Sequence, residues 1–117
     1  MHRSVAAADR TVLDARPDVA AAITDAAAAI WRSGTGPVLT DALAVINPWD
    51  FHLHDIHVPT SVWQGTDDRN VPRHIGEHCG RTIPGAELHL CQHEGHLIFY
   101  THATDILTTL TRPTTAH

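Results

Sequence analysis

Val58-Pro59-Thr60-Ser61-Val62-Trp63-Gln64-Gly65-Thr66-Asp67-Asp68-Arg69-Asn70-Val71-Pro72 changes character twice in fifteen residues. From His57 the run containing Val58, Ser61, Val62 and Trp63 is β-prone, and Gly65 ends it. Residues 66–71 are polar and turn-like. Pro72 suits the first turn of a helix, where its missing N–H had no helical partner anyway, and that helix is expected to reach about Cys79, with Gly80 near its end. Ile83-Pro84-Gly85 then reads as a turn. Glu87 to Cys91 reads as a second strand, with Leu88 and Leu90 on one face and His89 and Cys91 on the other. Gln92-His93-Glu94-Gly95-His96 is a loop, and a last helix is expected over Leu97 to Leu110. The order strand, loop, helix, strand, loop, helix predicts an α/β fold with two parallel C-terminal strands and flanking helices. Parallel sheets are normally buried on both faces and several strands wide, so two strands read as the end of something larger.

Upstream of this unit the pattern is helical. Residues 1–15 are weakly patterned. From Pro17, the positions Val19, Ile23, Ala26 and Ile30 recur at helical spacing and make one apolar stripe, which Gly34 and Gly36 bring to a stop. Asp18 and Arg32 fall at the ends of that helix where the macrodipole favours their charges. A second helix is predicted from Pro37 to about Ile46, with Leu39, Leu43 and Ile46 on one face and Asn47-Pro48 as its end. Residues 47–57 read as a loop anchored by Trp49 and Phe51. This divides the chain into a helical segment, 1–48, and a strand-bearing segment, 49–117.

Composition narrows the function classes. Leu, Ile, Val and Phe make up only 27 of the 117 residues, while 16 are Ala, so the core is modest. Eight basic against 13 acidic residues give a net charge of −5 without a basic stripe, which argues against binding nucleic acid through its phosphates. No apolar run reaches the length of a membrane span, and Met1-His2-Arg3-Ser4 leads into no signal-peptide core. A cytoplasmic chain with two reduced cysteines, Cys79 and Cys91, is the default expectation.

In open α/β sheets, reacting groups gather in loops beyond the carboxyl ends of strands. The first strand runs into Asp67-Asp68 and the second into Glu94-Gly95-His96. Neighbouring strands lie about 4.8 Å apart, so a carboxylate after one and an imidazole after the other meet on one edge. Such a pair is two thirds of a Ser-His-Asp triad, in which the carboxylate fixes the imidazole tautomer. Asp67 reads as a solvated loop charge.

The stretch 58–72, with its apolar strand and Gly-x-x-Asp-x-x-Val-Pro pattern, resembles the acid-bearing strand and loop of α/β-hydrolase fold enzymes. Ile83-Pro84-Gly85-Ala86-Glu87-Leu88 followed by Glu94-Gly95-His96-Leu97 resembles the final strand and histidine loop of that family. The Trp31-Arg32-Ser33-Gly34-Thr35-Gly36 turn and Pro48-Trp49-Asp50-Phe51 resemble its cap and re-entry segments, so that the resemblance covers about residues 9–110. It implies a partial α/β-hydrolase fold, with Asp68 as triad acid and His96 as triad base. It also implies hydrolysis of an ester, amide or related bond through a serine intermediate, without a cofactor. The family's Gly-x-Ser-x-Gly elbow, which precedes the acid in chain order, does not occur here, and Ser4, Ser33 and Ser61 lie in no such motif. The oxyanion-hole loop is missing as well. The expectation is therefore the C-terminal half of a hydrolase, inactive alone. It would pair with a separate N-terminal half, associate with itself through an exposed sheet edge, or be a truncated product.

Eleven histidines raise a metal-binding alternative. His52, His54 and His57 stand close in sequence, and alternation puts His89, Cys91 and His93 on one side, near His96, where two or three could hold zinc or nickel. His52-Leu53-His54-Asp55-Ile56-His57 resembles the metallo-β-lactamase pattern with the aspartate one place early. Abundant surface histidine is the plainer reading.

Overall fold

The computed structural model describes residues 5–113; Ser4 and the rest of the opening Met1-His2-Arg3-Ser4 lie outside the described residues. The elements in chain order are α1 (Ala7–Ala15), α2 (Pro17–Arg32), α3 (Thr35–Ile46), a single 3-10 turn (Leu53–Asp55), β1 (Ser61–Gly65), α4 (Arg73–Thr82), β2 (Glu87–Cys91), α5 (Ile98–Thr101) and α6 (Ala103–Leu110). Two compact units emerge. One comprises residues 1–12 and 53–117, and the other residues 13–52.

The second unit holds α2 and α3, which pack together. Pro17 stands in the first turn of α2, and the Arg16 guanidinium grips Asp18 with bonds of 2.9 and 2.7 Å, holding its carboxyl down at about 2. Asn47 turns extended at the end of α3, as the residue before Pro48 must. Trp49 and Phe51 stack with ring centroids 5.4 Å apart.

In the first unit, β1 and β2 form a parallel pair in register from Ser61 opposite Glu87 to Gly65 opposite Cys91. This is a small α/β arrangement with α4 packed on both strands. The elements depart from the sequence reading in four places. First, β1 starts at Ser61 rather than His57, because Pro59 has no N–H to donate. Second, α4 runs past Gly80 to Thr82 and ends where Ile83 turns extended ahead of Pro84. Third, the single helix expected over 97–110 is broken into α5 and α6 at His102, whose backbone (φ −115°, ψ 19°) leaves the helical region. Its ring is drawn instead to Glu94, with Nε2 2.6 Å from Oε1. Fourth, residues 7–15, which showed only weak pattern, form α1.

The core is thin. Among the described residues the buried apolar side chains are Ala6, Val19, Ile83 and Cys91, while sixteen large apolar side chains stand exposed, including Phe99, Tyr100, Leu107 and Leu110. No helix among the described residues is long and apolar enough to cross a membrane.

Candidate active site

Parallel pairing sends both strands to the same edge, and the ladder continues beyond them. Thr66 N–H donates to the Cys91 carbonyl (3.0 Å), Asp67 N–H to the Glu94 carbonyl (2.9 Å), and His93 N–H to Thr66 Oγ1 (2.9 Å). His93 takes a left-handed φ of 59°, a conformation that histidine tolerates better than most side chains, and so turns the chain back toward β1. The approach is so close that a Cβ on Gly65 would run into the carbonyls of Glu94 and Gly95. Glycine is thus required at the end of β1 by the neighbouring backbone.

Asp68 follows in this turn. Its Oδ1 accepts from the N–H groups of Asn70 (2.8 Å) and Val71 (2.9 Å), an Asx turn that fixes the carboxylate plane. Its Oδ2 lies 3.0 Å from His96 Nδ1, with the Asp68 side chain only 7% exposed and that of His96 47% exposed. Gln64, buried at the end of β1, ties the same turn down by donating Nε2 to the carbonyls of Gly65 (3.0 Å) and Val71 (2.9 Å). Burial alone would push the Asp68 carboxyl up. The Val71 N–H, the His96 imidazole and the Asn70 N–H outweigh it and hold the pKa below the usual carboxylate value. A carboxylate facing Nδ1 selects the imidazole tautomer that carries its proton there. Nε2 is then the basic nitrogen, and it makes no hydrogen bond with another described residue.

Two sets of side-chain contacts secure the histidine loop. The Glu94 carboxylate accepts from Thr101 Oγ1 and meets His102 Nε2, while the second His102 nitrogen lies 3.4 Å from Asp105. Glu94 is the main cause that raises the His102 pKa above its usual value, with Asp105 adding to it against a smaller effect of burial. In the second set, Asp9 of α1 accepts the backbone N–H groups of His96 (2.9 Å) and Leu97 (2.8 Å).

The structure thus brings the two sequence-derived site residues, Asp68 and His96, within hydrogen-bond distance. Asp67 is an exposed loop charge with His93 3.9 Å away. None of the described serines is near the pair's working nitrogen in sequence or element. Ser33 caps the end of α2, its hydroxyl donating to the Ala29 carbonyl (3.4 Å). Ser61 opens β1, about 13 Å of extended chain before Gly65, and accepts from Trp63 Nε1 (3.3 Å). Cys91 is buried, and burial pushes its thiol pKa up, with Glu94 and Asp105 adding to the shift, so the thiolate is disfavoured. Among the described residues no group of three or more His, Cys, Asp or Glu could hold a metal ion. His89 instead stacks on Trp63 with centroids 4.0 Å apart.

Sequence reasoning missed Asp9, Glu94 and His102. Asp9 gave no signal because a carboxylate on the buried face of a helix is read by periodicity as a break in the pattern. No protein-family model matches the chain, and no curated protein matches it in sequence.

Proposed function

We propose that Asp68 and His96 are the acid–base couple of a serine-hydrolase-type site on a partial α/β-hydrolase fold, cleaving an ester, amide or related bond without a cofactor. The observation that carries this reading is the 3.0 Å contact between Asp68 Oδ2 and His96 Nδ1 at the carboxyl ends of two adjacent parallel strands, with Nε2 left open. In the reaction, Nε2 accepts the proton of a hydroxyl nucleophile as its oxygen attacks the substrate carbonyl carbon. Asp68 stabilises the imidazolium, which then returns the proton to the leaving group. Two of the family's components do not occur in these 117 residues: the Gly-x-Ser-x-Gly elbow and the early strand with its oxyanion-hole loop. Both would have to come from other residues, such as an N-terminal half supplied as a partner; without them the chain is an inactive, truncated product. The exposed apolar side chains and the two-stranded sheet fit a unit that buries more surface in such a pairing.

The test is hydrolysis of a p-nitrophenyl ester by the purified chain, alone and co-expressed with any upstream-encoded segment bearing a Gly-x-Ser-x-Gly strand–turn–helix. The chain alone should match buffer. The pair should turn over, and Asp68→Asn should reduce its rate by roughly ten-thousand-fold, the scale set by removing a triad carboxylate. Turnover by the chain alone that is lost in His96→Ala would show that a nucleophile is present here after all. Turnover by the pair that survives His96→Ala would remove the couple from the chemistry. Elution as a homodimer with no turnover in any pairing would favour self-association through the sheet edge.

A further inference from the structure

We propose that Asp9 is a positioning residue of this same site, setting where the His96 ring stands by holding the backbone that carries it. The inference rests on the reading of His96 as the base, and it adds a third side chain to a pair. Asp9 lies 87 residues before His96, is only 6% exposed, and spends both carboxylate oxygens on one short stretch of backbone. Oδ2 accepts from His96 N–H at 2.9 Å and Oδ1 from Leu97 N–H at 2.8 Å. Two consecutive amides pointing at one carboxylate fix the direction of the peptide that bears the imidazole. Charge-assisted bonds of this kind are about twice as strong as neutral ones.

A second observation points the same way. A Cβ built on Gly95 would fall on the Asp9 carboxylate itself. The glycine immediately before the base therefore leaves the space that Asp9 occupies. Every other side chain there would expel the carboxylate. Two carboxylates thus act on His96 through different atoms, Asp68 at ring Nδ1 and Asp9 at the main-chain nitrogen. Glu94, the residue before Gly95, is itself held by Thr101 and His102. The imidazole is left with rotation about its own side-chain bonds, and Asp68 removes that.

An aspartate that merely tied α1 to the sheet would make the same two bonds, so the test needs a readout at the ring. In the unaltered chain, scalar couplings across the hydrogen bonds should connect the His96 and Leu97 amide nitrogens to the Asp9 carboxyl carbon, and a downfield Nδ1–H resonance should report the Asp68–His96 bond. In Asp9→Asn, the side-chain amide offers one acceptor and turns its NH2 toward the other N–H. Exchange of the His96 and Leu97 amides should then accelerate by about tenfold or more, and the Nδ1–H resonance should broaden or vanish. The ladder amides of Thr66 and Glu87 should keep their protection. Gly95→Ala displaces the carboxylate sterically and should reproduce the pattern, which keeps the test decisive if Asp9→Asn does not fold. The double variant Asp9→Ala/Gly95→Ala should be no worse than Asp9→Ala alone, because the space has been vacated. Absent couplings to Asp9, or an unchanged Nδ1–H resonance in the variants, would overturn the proposal. So would equal acceleration of the ladder amides. If the unaltered chain shows the couplings to Asp9 but no Asp68-dependent Nδ1–H resonance, the acid–base reading itself fails, and Asp9 is reduced to a tether.

Discussion

Replacing Asp68 by Asn changes little in shape and much in charge, so its cost can be worked from the bonds the carboxylate makes. Oδ1 receives two backbone N–H groups and Oδ2 one imidazole N–H. Bonds to a charged acceptor contribute about 1.5–3 kcal/mol each, and bonds to a neutral one about 0.5–1.5. In the variant the Asn70 and Val71 amides keep a neutral oxygen, while the side-chain NH2 opposes His96 Nδ1–H. The half-exposed ring can shift its proton to Nε2, so its bond is largely recovered in the wrong tautomer. The net loss is about 2 kcal/mol at pH 7. Folding lowers the Asp68 pKa below 3.8, so the native state sheds this proton more readily than the unfolded chain. The ionised carboxylate therefore stabilises the fold fully above about that value, and the benefit disappears as the pH falls through the lowered native pKa. Urea unfolding followed by exchange of the β-ladder amides should show the midpoint of Asp68→Asn lowered by about 1–2 M at pH 7, the gap closing at the acid end. A shift below about 0.3 M at pH 7, or a gap undiminished at pH 2, would refute the reasoning.

Three further outcomes follow from the same geometry. Gly65→Ala places a methyl group against the backbone carbonyls of Glu94 and Gly95, which cannot rotate aside, and should destabilise the fold by about 2–3 kcal/mol in urea titration. Because Glu94 raises the His102 pKa, their pair stabilises fully below about 6.5 and is lost as the pH rises through the raised native value. Melting curves between pH 6 and 9 should fall by under about 1 kcal/mol for these partly exposed groups, and Glu94→Gln should flatten the slope. Both cysteines are free, and a disulfide-exchange reagent at pH 8 should titrate Cys79 first, reaching the buried Cys91 only after denaturant is added.

What the sequence made legible was whatever local chemistry determines. β2 covers Glu87–Cys91 as the alternation of Leu88 and Leu90 with His89 and Cys91 predicts, and α2 starts at Pro17 where proline permits it. The Asp68–His96 pair was legible because parallel pairing carries two loops to one edge, so a separation of 28 residues became a distance of 3.0 Å. Other features depended on contacts that no window can hold. The break at His102 goes with the bond of its ring to Glu94, which belongs to the preceding loop. Asp9 reaches its partners across 87 residues, and α1 itself is rich in alanine, whose small side chain leaves a weak periodic signal. The thin core follows from composition, since alanine supplies much of the apolar count and little volume.

In the proposed site, one nitrogen of His96 is committed to Asp68 and the other takes up the proton. A long-range nitrogen–proton correlation spectrum of the unaltered chain at pH 8.5 reads both nitrogens of each neutral imidazole ring. The proton should sit on Nδ1 of His96, with Nε2 bare. A ring protonated on Nε2, or one exchanging freely between the two tautomers, would contradict it.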